Sequence, residues 1–176
     1  MNTENTVRTN QFRVRMMIDK DLDQVIKIDK MSFEIPWPDS SFKYELHKNP
    51  HSMLFVAELL DAEQIINIIG AIVVWLIVDE AHIATLAVHP EYRNKGVATE
   101  LLSEALCVAL DKGMTQATLE VRANNSIAHK LYEHFGFEIT GKRKNYYRDN
   151  NEDALIMTLP KLDYNHLNQI KTEKSQ

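Results

Sequence analysis

Arg93, Asn94 and Lys95 stand directly before Gly96, inside the stretch VHPEYRNKGVATELL from Val88 to Leu102, and an amphipathic stripe begins immediately behind them. A strand that ends, a short loop with a glycine and a helix that starts there make a seat for an anion. The first N–H groups of a helix have no carbonyl partner within it and point out along the positive end of its dipole. A phosphate or pyrophosphate satisfies them. Gly96 permits close backbone approach or a positive φ, and Arg93 and Lys95 add charge. The alternative is a helix start with an exposed basic turn. Two better-known phosphate loops, G-x-x-x-x-G-K-[ST] and G-x-G-x-x-G, are absent, and with five glycines in the chain neither is hidden nearby.

Further along, Glu120 sits inside TLEVR. Strand alternation sends Leu119 and Val121 to one side and Thr118, Glu120 and Arg122 to the other. A glutamate in a central strand is paired, for instance with Arg122 or another base, or it lines a cleft. Tyr132, in AHKLYEHFGF, shares a helix face with Ala128, Leu131 and Phe135 and reads as a core tyrosine with a phenol to offer. Asn125 and Asn124 are placed to cap the helix that follows. Phe33, Pro36, Trp37, Tyr146 and Tyr147 are aromatic or stiff residues in connecting segments, suited either to packing or to lining a slot. His82 faces the same way as Ala84 and Leu86, toward that cleft, with a structural role expected. Cys107 reads as a buried, inert thiol. The seven histidines show no H-E-x-x-H or similar spacing, so no metal site is indicated.

The elements that must hold these residues follow from periodicity. FRVRMMI is a first strand, and Leu22, Val25, Ile26, Asp29 and Phe33 fall at helical spacing behind Asp19, a candidate cap. The two prolines of EIPWPDSSF break that helix, and a short second helix covers roughly 40–48. SMLFVAELL, Ile65 to Val78 and HIATLAV make an antiparallel meander, with DAEQ and DEA as turns. The stripe of Leu101, Leu102, Ala105, Leu106, Ala109 and Leu110 is a helix ended by Gly113. ATLEV is a strand, NNSIAHKLYEHFGF a helix ended by Gly136, and EITGKRKNYY with ALIMTLP a closing hairpin. The order is β-α-α-β-β-β-α-β-α-β-β. Residues 1–11 are expected to be a flexible N-terminus, 12–162 one domain, and 163–176 a polar tail in which Leu167 and Ile170 could support a fragment of helix.

Composition bounds the function. One domain suits 176 residues, and an apolar content of 44% with 26% charged residues describes a folded globular chain. The net charge of −5 argues against a primary nucleic-acid binder and is compatible with substrates that carry an amino group. GKRKNYYR is basic and aromatic together, but a solvated hairpin is its default reading. One cysteine allows no internal disulfide and no multi-cysteine zinc site, which fits a reduced, cytoplasmic compartment. The start of the chain has no apolar run suited to a signal peptide, and the longest apolar run is too short and too β-branched for the roughly 20 residues of a membrane helix.

R-x-x-G-x-A at Arg93, Gly96 and Ala98 resembles the acetyl-CoA pyrophosphate loop of the GNAT N-acetyltransferases, usually [QR]-x-x-G-x-[GA]. LAVHPEYRNKGVATELL, LEVRANNSIAHKLYEHFGFEITGKRKNYY and EDALIMTLP together resemble the RimI branch, the N-terminal acetyltransferases of ribosomal and other proteins, and IPWPDSSF resembles that branch's Pro-Trp loop. The likeness covers roughly residues 12–160; Ala98 stands where RimI proteins often have glycine, an accepted variant in the wider family. The resemblance implies a mixed α/β GNAT fold: a splayed, mostly antiparallel sheet of about seven strands with helices on both faces.

It implies acetyl-CoA as co-substrate, its pyrophosphate on the backbone of Arg93, Asn94, Lys95, Gly96, Val97, Ala98 and Thr99. Leu86, Ala87 and Val88 would offer strand backbone to the amide-rich pantetheine arm, and Asn125 would also touch the cofactor. Acetyl transfer to an amine needs proton removal from nitrogen, donors for the oxyanion and an acid for the leaving thiolate. The family places the general base at Glu120, acting through water, and the general acid at Tyr132. Phe33, Pro36, Trp37, Tyr146 and Tyr147 would line a peptide slot. The expected reaction is direct transfer to the α-amino group of a protein N-terminus, a ribosomal protein or a broader set, with no membrane or nucleic-acid partner. The rivals are a GNAT acting on lysine side chains or a small-molecule amine, and a non-catalytic acyl-CoA-binding module.

Overall fold

The computed structural model describes residues 12–60 and 68–173. The expected N-terminal arm, the DAEQ turn, the first residues of the long strand and residues 174–176 lie outside the described residues. The elements run β1 (Phe12–Met16), a 3-10 turn (Asp19–Asp21), α1 (Leu22–Ser32), α2 (Asp39–His47), β2 (Ser52–Leu59), β3 (Ile68–Ile77) and β4 (Glu80–Val88). A second 3-10 turn (Pro90–Tyr92), α3 (Val97–Asp111), β5 (Gln116–Arg122), α4 (Ser126–His134), β6 (Glu138–Tyr147), β7 (Glu152–Leu159) and α5 (Tyr164–Glu173) complete the chain. The strands form one sheet in the order β1-β2-β3-β4-β5-β7-β6. Every neighbouring pair is antiparallel except β4–β5.

The apolar run of β2 does not alternate because both faces of that strand are covered. Met53, Phe55 and Ala57 pack with Leu101, Leu102 and Leu106 of α3, with Phe135 behind α4 and with Leu167 of α5. Leu54 and Val56 face the other way, onto Val25 and Ile28 of α1 and Phe42 of α2. Helices therefore cover both faces. Gly70 of β3 lets α3 come close: a Cβ there would lie 2.9 Å from Leu101 Cδ1 and 3.1 Å from the Ala87 carbonyl.

Two local expectations change. Asp19 does not cap α1; its carboxylate pairs with His47 at 2.7 Å. Asp21 instead accepts from the Ile18 N–H at 2.9 Å and is gripped by Arg15 through two bonds of 2.7 and 2.9 Å. The stretch after residue 162, read as a polar tail in which Leu167 and Ile170 could support a fragment of helix, forms the longer α5. Leu167 and Ile170, spaced one turn apart, are 0% and 2% exposed in the core beneath α3. Tyr164 bonds to Asp111, and Lys171 pairs with Glu104 at 2.9 Å. The two apolar residues anchor a one-sided helix that buries its stripe against α3.

Candidate active site

The parallel ladder between β4 and β5 runs only from Glu80–Ile83 opposite Gln116–Leu119. A bulge drives the strands apart there. Val73 of β3 pairs with Thr85 while Val74 pairs with Ile83, so Ala84 is the extra residue on β4. A bulge bends its strand and raises local twist. Beyond Ile83 the β5-facing edge of β4 has no strand beside it, and its peptide groups face a cleft of about 720 Å³. Leu86 lies on the cleft wall, whereas the Ala87 side chain is buried toward α1, so Ala87 offers only its backbone.

Glu120 projects into this cleft from β5, as alternation required, with its side chain 13% exposed. Its partners are not the neighbour on its own strand. Oε1 is 3.0 Å from the Arg143 guanidinium of β6, and Oε2 is 3.2 Å from His82 Nε2 of β4. Arg122 binds Asp149 at 2.7 Å and Glu152 at 3.1 Å instead.

Tyr132 serves both readings. Its ring packs edge-on to Phe137 in the core, with centroids 5.7 Å apart, and the residue, only 8% exposed, also lines the cleft. Burial, reinforced by nearby Tyr147, pushes its phenol well above the ordinary range. The phenol therefore stays protonated and can donate. Tyr147 is likewise pushed up to about 12, chiefly by burial, and Arg122 lies 3.9 Å over its ring. Tyr146 meets Tyr147 edge-on at 5.2 Å, and both tyrosines line the cleft.

Phe33 and Trp37 line the opposite side; Pro36 does not. The Trp37 ring stacks on Trp75 at 6.1 Å, and Trp75 stacks on His82 at 5.6 Å. The loop carrying Trp37 is held by a residue that sequence reasoning passed over as one member of a helical stripe. Asp29 is 2% exposed; its Oδ2 accepts the Trp37 N–H at 2.8 Å, and its carbonyl accepts the Phe33 N–H at 3.0 Å. Oδ1 is buried with no partner among the described residues. Burial pushes this carboxyl up, against the opposing pull of the Trp37 N–H. The signal was one acid on an otherwise apolar face.

At the far end of β4 the chain passes through the Pro90–Tyr92 turn. Asn94 and Gly96 both take the left-handed region, at φ 60 and 83. Gly96 is the N-cap of α3 and supplies no side chain to occupy the first amides. Glu100 donates to the Gly96 carbonyl at 3.0 Å, closing the first turn. The Val97 side chain and Thr99 are buried, while Ala98 is half-buried, leaving backbone as the presented surface. Arg93 turns back, its Nε donating to the Val88 carbonyl at 3.1 Å and its guanidinium reaching Ser32 Oγ at 3.4 Å. Lys95 Nζ lies 4.8 Å over the Tyr92 ring. Asn125 caps α4, accepting the Ala128 N–H at 3.1 Å, and also lines the cleft. The arrangement offers a carboxylate, a protonated phenol, an unpaired strand edge and an open helix N-terminus. The last two fit an amide-rich arm ending in a pyrophosphate.

Residues 22–137 match the family model described as Acetyltransferase (GNAT) family. The chain is 40% identical over 144 residues to a Bacillus subtilis protein provisionally assigned as a [ribosomal protein bS18]-alanine N-acetyltransferase, covering 82% of this chain and 92% of that protein. It is 31% identical over 160 residues to an N-alpha-acetyltransferase of Sulfurisphaera tokodaii, covering 85% and 93% of the two chains. The crystal structure of the Escherichia coli ribosomal-protein-S18-alanine N-acetyltransferase superposes with a TM-score of 0.75 at 28% identity, over 86% of this chain and 95% of that one.

Proposed function

The chain belongs to the GNAT acetyltransferase family, and we propose that it transfers acetyl from acetyl-CoA directly to the α-amino group of a protein N-terminus. The single observation that carries this reading is the cleft where β4 and β5 part, lined from opposite elements by Glu120 and Tyr132. Acetyl-CoA supplies the acyl group. The amides from Arg93 to Thr99 hold its pyrophosphate, the backbone of Leu86, Ala87 and Val88 aligns its arm, and Asn125 adds a contact.

Glu120 is the general base. An α-amino group has a pKa near 8, so the carboxylate, acting through water, has only a modest barrier to overcome. The amine then attacks the thioester carbon. Tyr132, kept protonated by burial, donates to the departing sulfur. Phe33, Trp37, Tyr146 and Tyr147 enclose the substrate's first residues, with Pro36 stiffening the loop that carries Trp37. The names of the similar proteins favour a ribosomal-protein N-terminus beginning with alanine as the substrate, and with it a cytoplasmic site of action. Among the described residues no helix is long and apolar enough to cross a membrane.

Acetyl-CoA turnover against short peptides with free and blocked N-termini tests this. Turnover confined to free N-termini is expected. Acetylation of blocked peptides at lysine would replace the reading with side-chain transfer. Acetyl-CoA binding with no turnover on any peptide would make the chain a binding module.

A further inference from the structure

His82 reaches the cleft from β4 with both ring nitrogens engaged. Nε2 lies 3.2 Å from Glu120 Oε2, and Nδ1 lies 3.1 Å from Thr118 Oγ1. A hydroxyl carries one hydrogen, and Thr118 donates it to Glu80 Oε1 at 2.6 Å, the length of a charge-assisted bond. Thr118 Oγ1 is therefore an acceptor toward His82, and Nδ1 carries the hydrogen that joins them. A neutral imidazole has one N–H, already committed to Nδ1. Nε2 then faces Glu120 as a lone pair against an acceptor-only carboxylate. Two acceptors this close need a hydrogen between them.

We infer that Glu80 and Thr118 lock His82 in its Nδ1–H form, so that His82 Nε2 and Glu120 together form a seat for one proton or for the N–H groups of one ammonium ion. This rests on reading the cleft as a site of amine acetylation. Nε2 and Oε2, 3.2 Å apart, converge on the incoming ammonium. One N–H bond of the ammonium breaks, its electron pair stays on the amine nitrogen, and the proton passes through water to Glu120, whose Oε2 shares it with the lone pair of His82 Nε2. Glu80 and Thr118 touch neither amine nor thioester and are positioning residues. They act as the buried aspartate of a serine-protease triad acts, fixing the tautomer and orientation of the ring. Without them a neutral His82 would donate Nε2–H to Glu120 and offer the amine no lone pair. The charged groups facing His82 are Glu120 of β5, backed by Arg143 of β6, and Glu80 of its own strand through Thr118. From β3 it meets the neutral Trp75 ring.

Nitrogen NMR of histidine-labelled protein, at a pH where the ring is neutral, reads the tautomer without turnover. Nδ1–H is expected for His82 in the native protein, and Nε2–H in Thr118→Val. A native His82 in the Nε2–H form overturns the inference. Kinetics across the range in which histidine titrates give the second readout. T118V is expected to lose about tenfold or more in kcat with little change in KM and a displaced acid limb, and T118S to restore both. A T118V enzyme with native kcat and pH profile also overturns it. Full activity in both E120Q and Y132F would instead defeat the reading of the cleft, while the NMR result still decides the lock.

Discussion

Replacing Asp29 separates the wall of the substrate slot from its chemistry. The carboxyl is buried, one oxygen holds the Trp37 N–H at 2.8 Å, and the other has no partner among the described residues. Asp29→Ala strands that backbone donor, which costs about 1–3 kcal/mol when it stays buried. For a domain of this size each kcal/mol moves Tm by about 2–4 °C, so a fall of about 2–12 °C is expected. The freed Trp37 loop should raise the peptide KM and leave the acetyl-CoA KM unchanged, because the Asp29 hydrogen bonds run to Trp37 and Phe33 and not to α3 or β4. Asp29→Asn keeps an acceptor for Trp37 and removes the charge. Since burial raises the Asp29 pKa above its unfolded value, the folded protein holds the extra proton between those two values. Native stability therefore falls as pH rises through that window. D29N lacks this fall, so its Tm should gain on the native protein from the ordinary aspartate range upward and then run parallel. Thermal melts over a pH series, with initial-rate kinetics on both substrates, provide the measurements. An unmoved Tm in D29A, or a D29N difference that is flat in pH, would refute the reasoning.

Three other outcomes follow from the same geometry. Glu120→Gln and Tyr132→Phe should each lower kcat by about 10²–10⁴ while the folded state persists, checked by steady-state kinetics beside circular dichroism. Gly96→Ala forces a side chain into φ 83, at about 1–2 kcal/mol, and should weaken acetyl-CoA in calorimetry without touching peptide affinity. Leu167→Ala should cost about 2–5 kcal/mol in urea unfolding, since its side chain is fully buried; a loss near zero would mean α5 is not part of the core.

The sequence carried the element order, the strand alternation that turns Glu120 into a cleft, and the glycine that opens α3, because each is set within a few residues. What it withheld depends on neighbours distant in the chain. The Glu120 partners come from β4 and β6, and their meeting needs the sheet order and the β4 bulge, neither of which leaves a local pattern. Arg122 looked equally able to pair with Glu120, yet Asp149 of the β6–β7 turn and Glu152 at the start of β7 hold it. Asp29 gave a visible anomaly with no visible partner, since the Trp37 amide reaches it across a proline-bent loop. In α5 two apolar residues amid polar ones are too little to declare a helix until α3 lies beneath them.

The short parallel ladder bears on folding as well as on binding. Four residue pairs join β4 to β5, fewer than in any other ladder of the sheet. On one side stands a meander from β1 to β4; on the other, β5 with the β6–β7 hairpin. Each set can build its own cross-strand bonds before the two meet, and the pairing between them closes a longer loop than any turn within the β3–β4 or β6–β7 hairpin. The join is thus the line of least backbone resistance. Amide exchange through sub-global opening should be fastest there among the paired strands, and the protein can breathe at the seam while both halves remain folded.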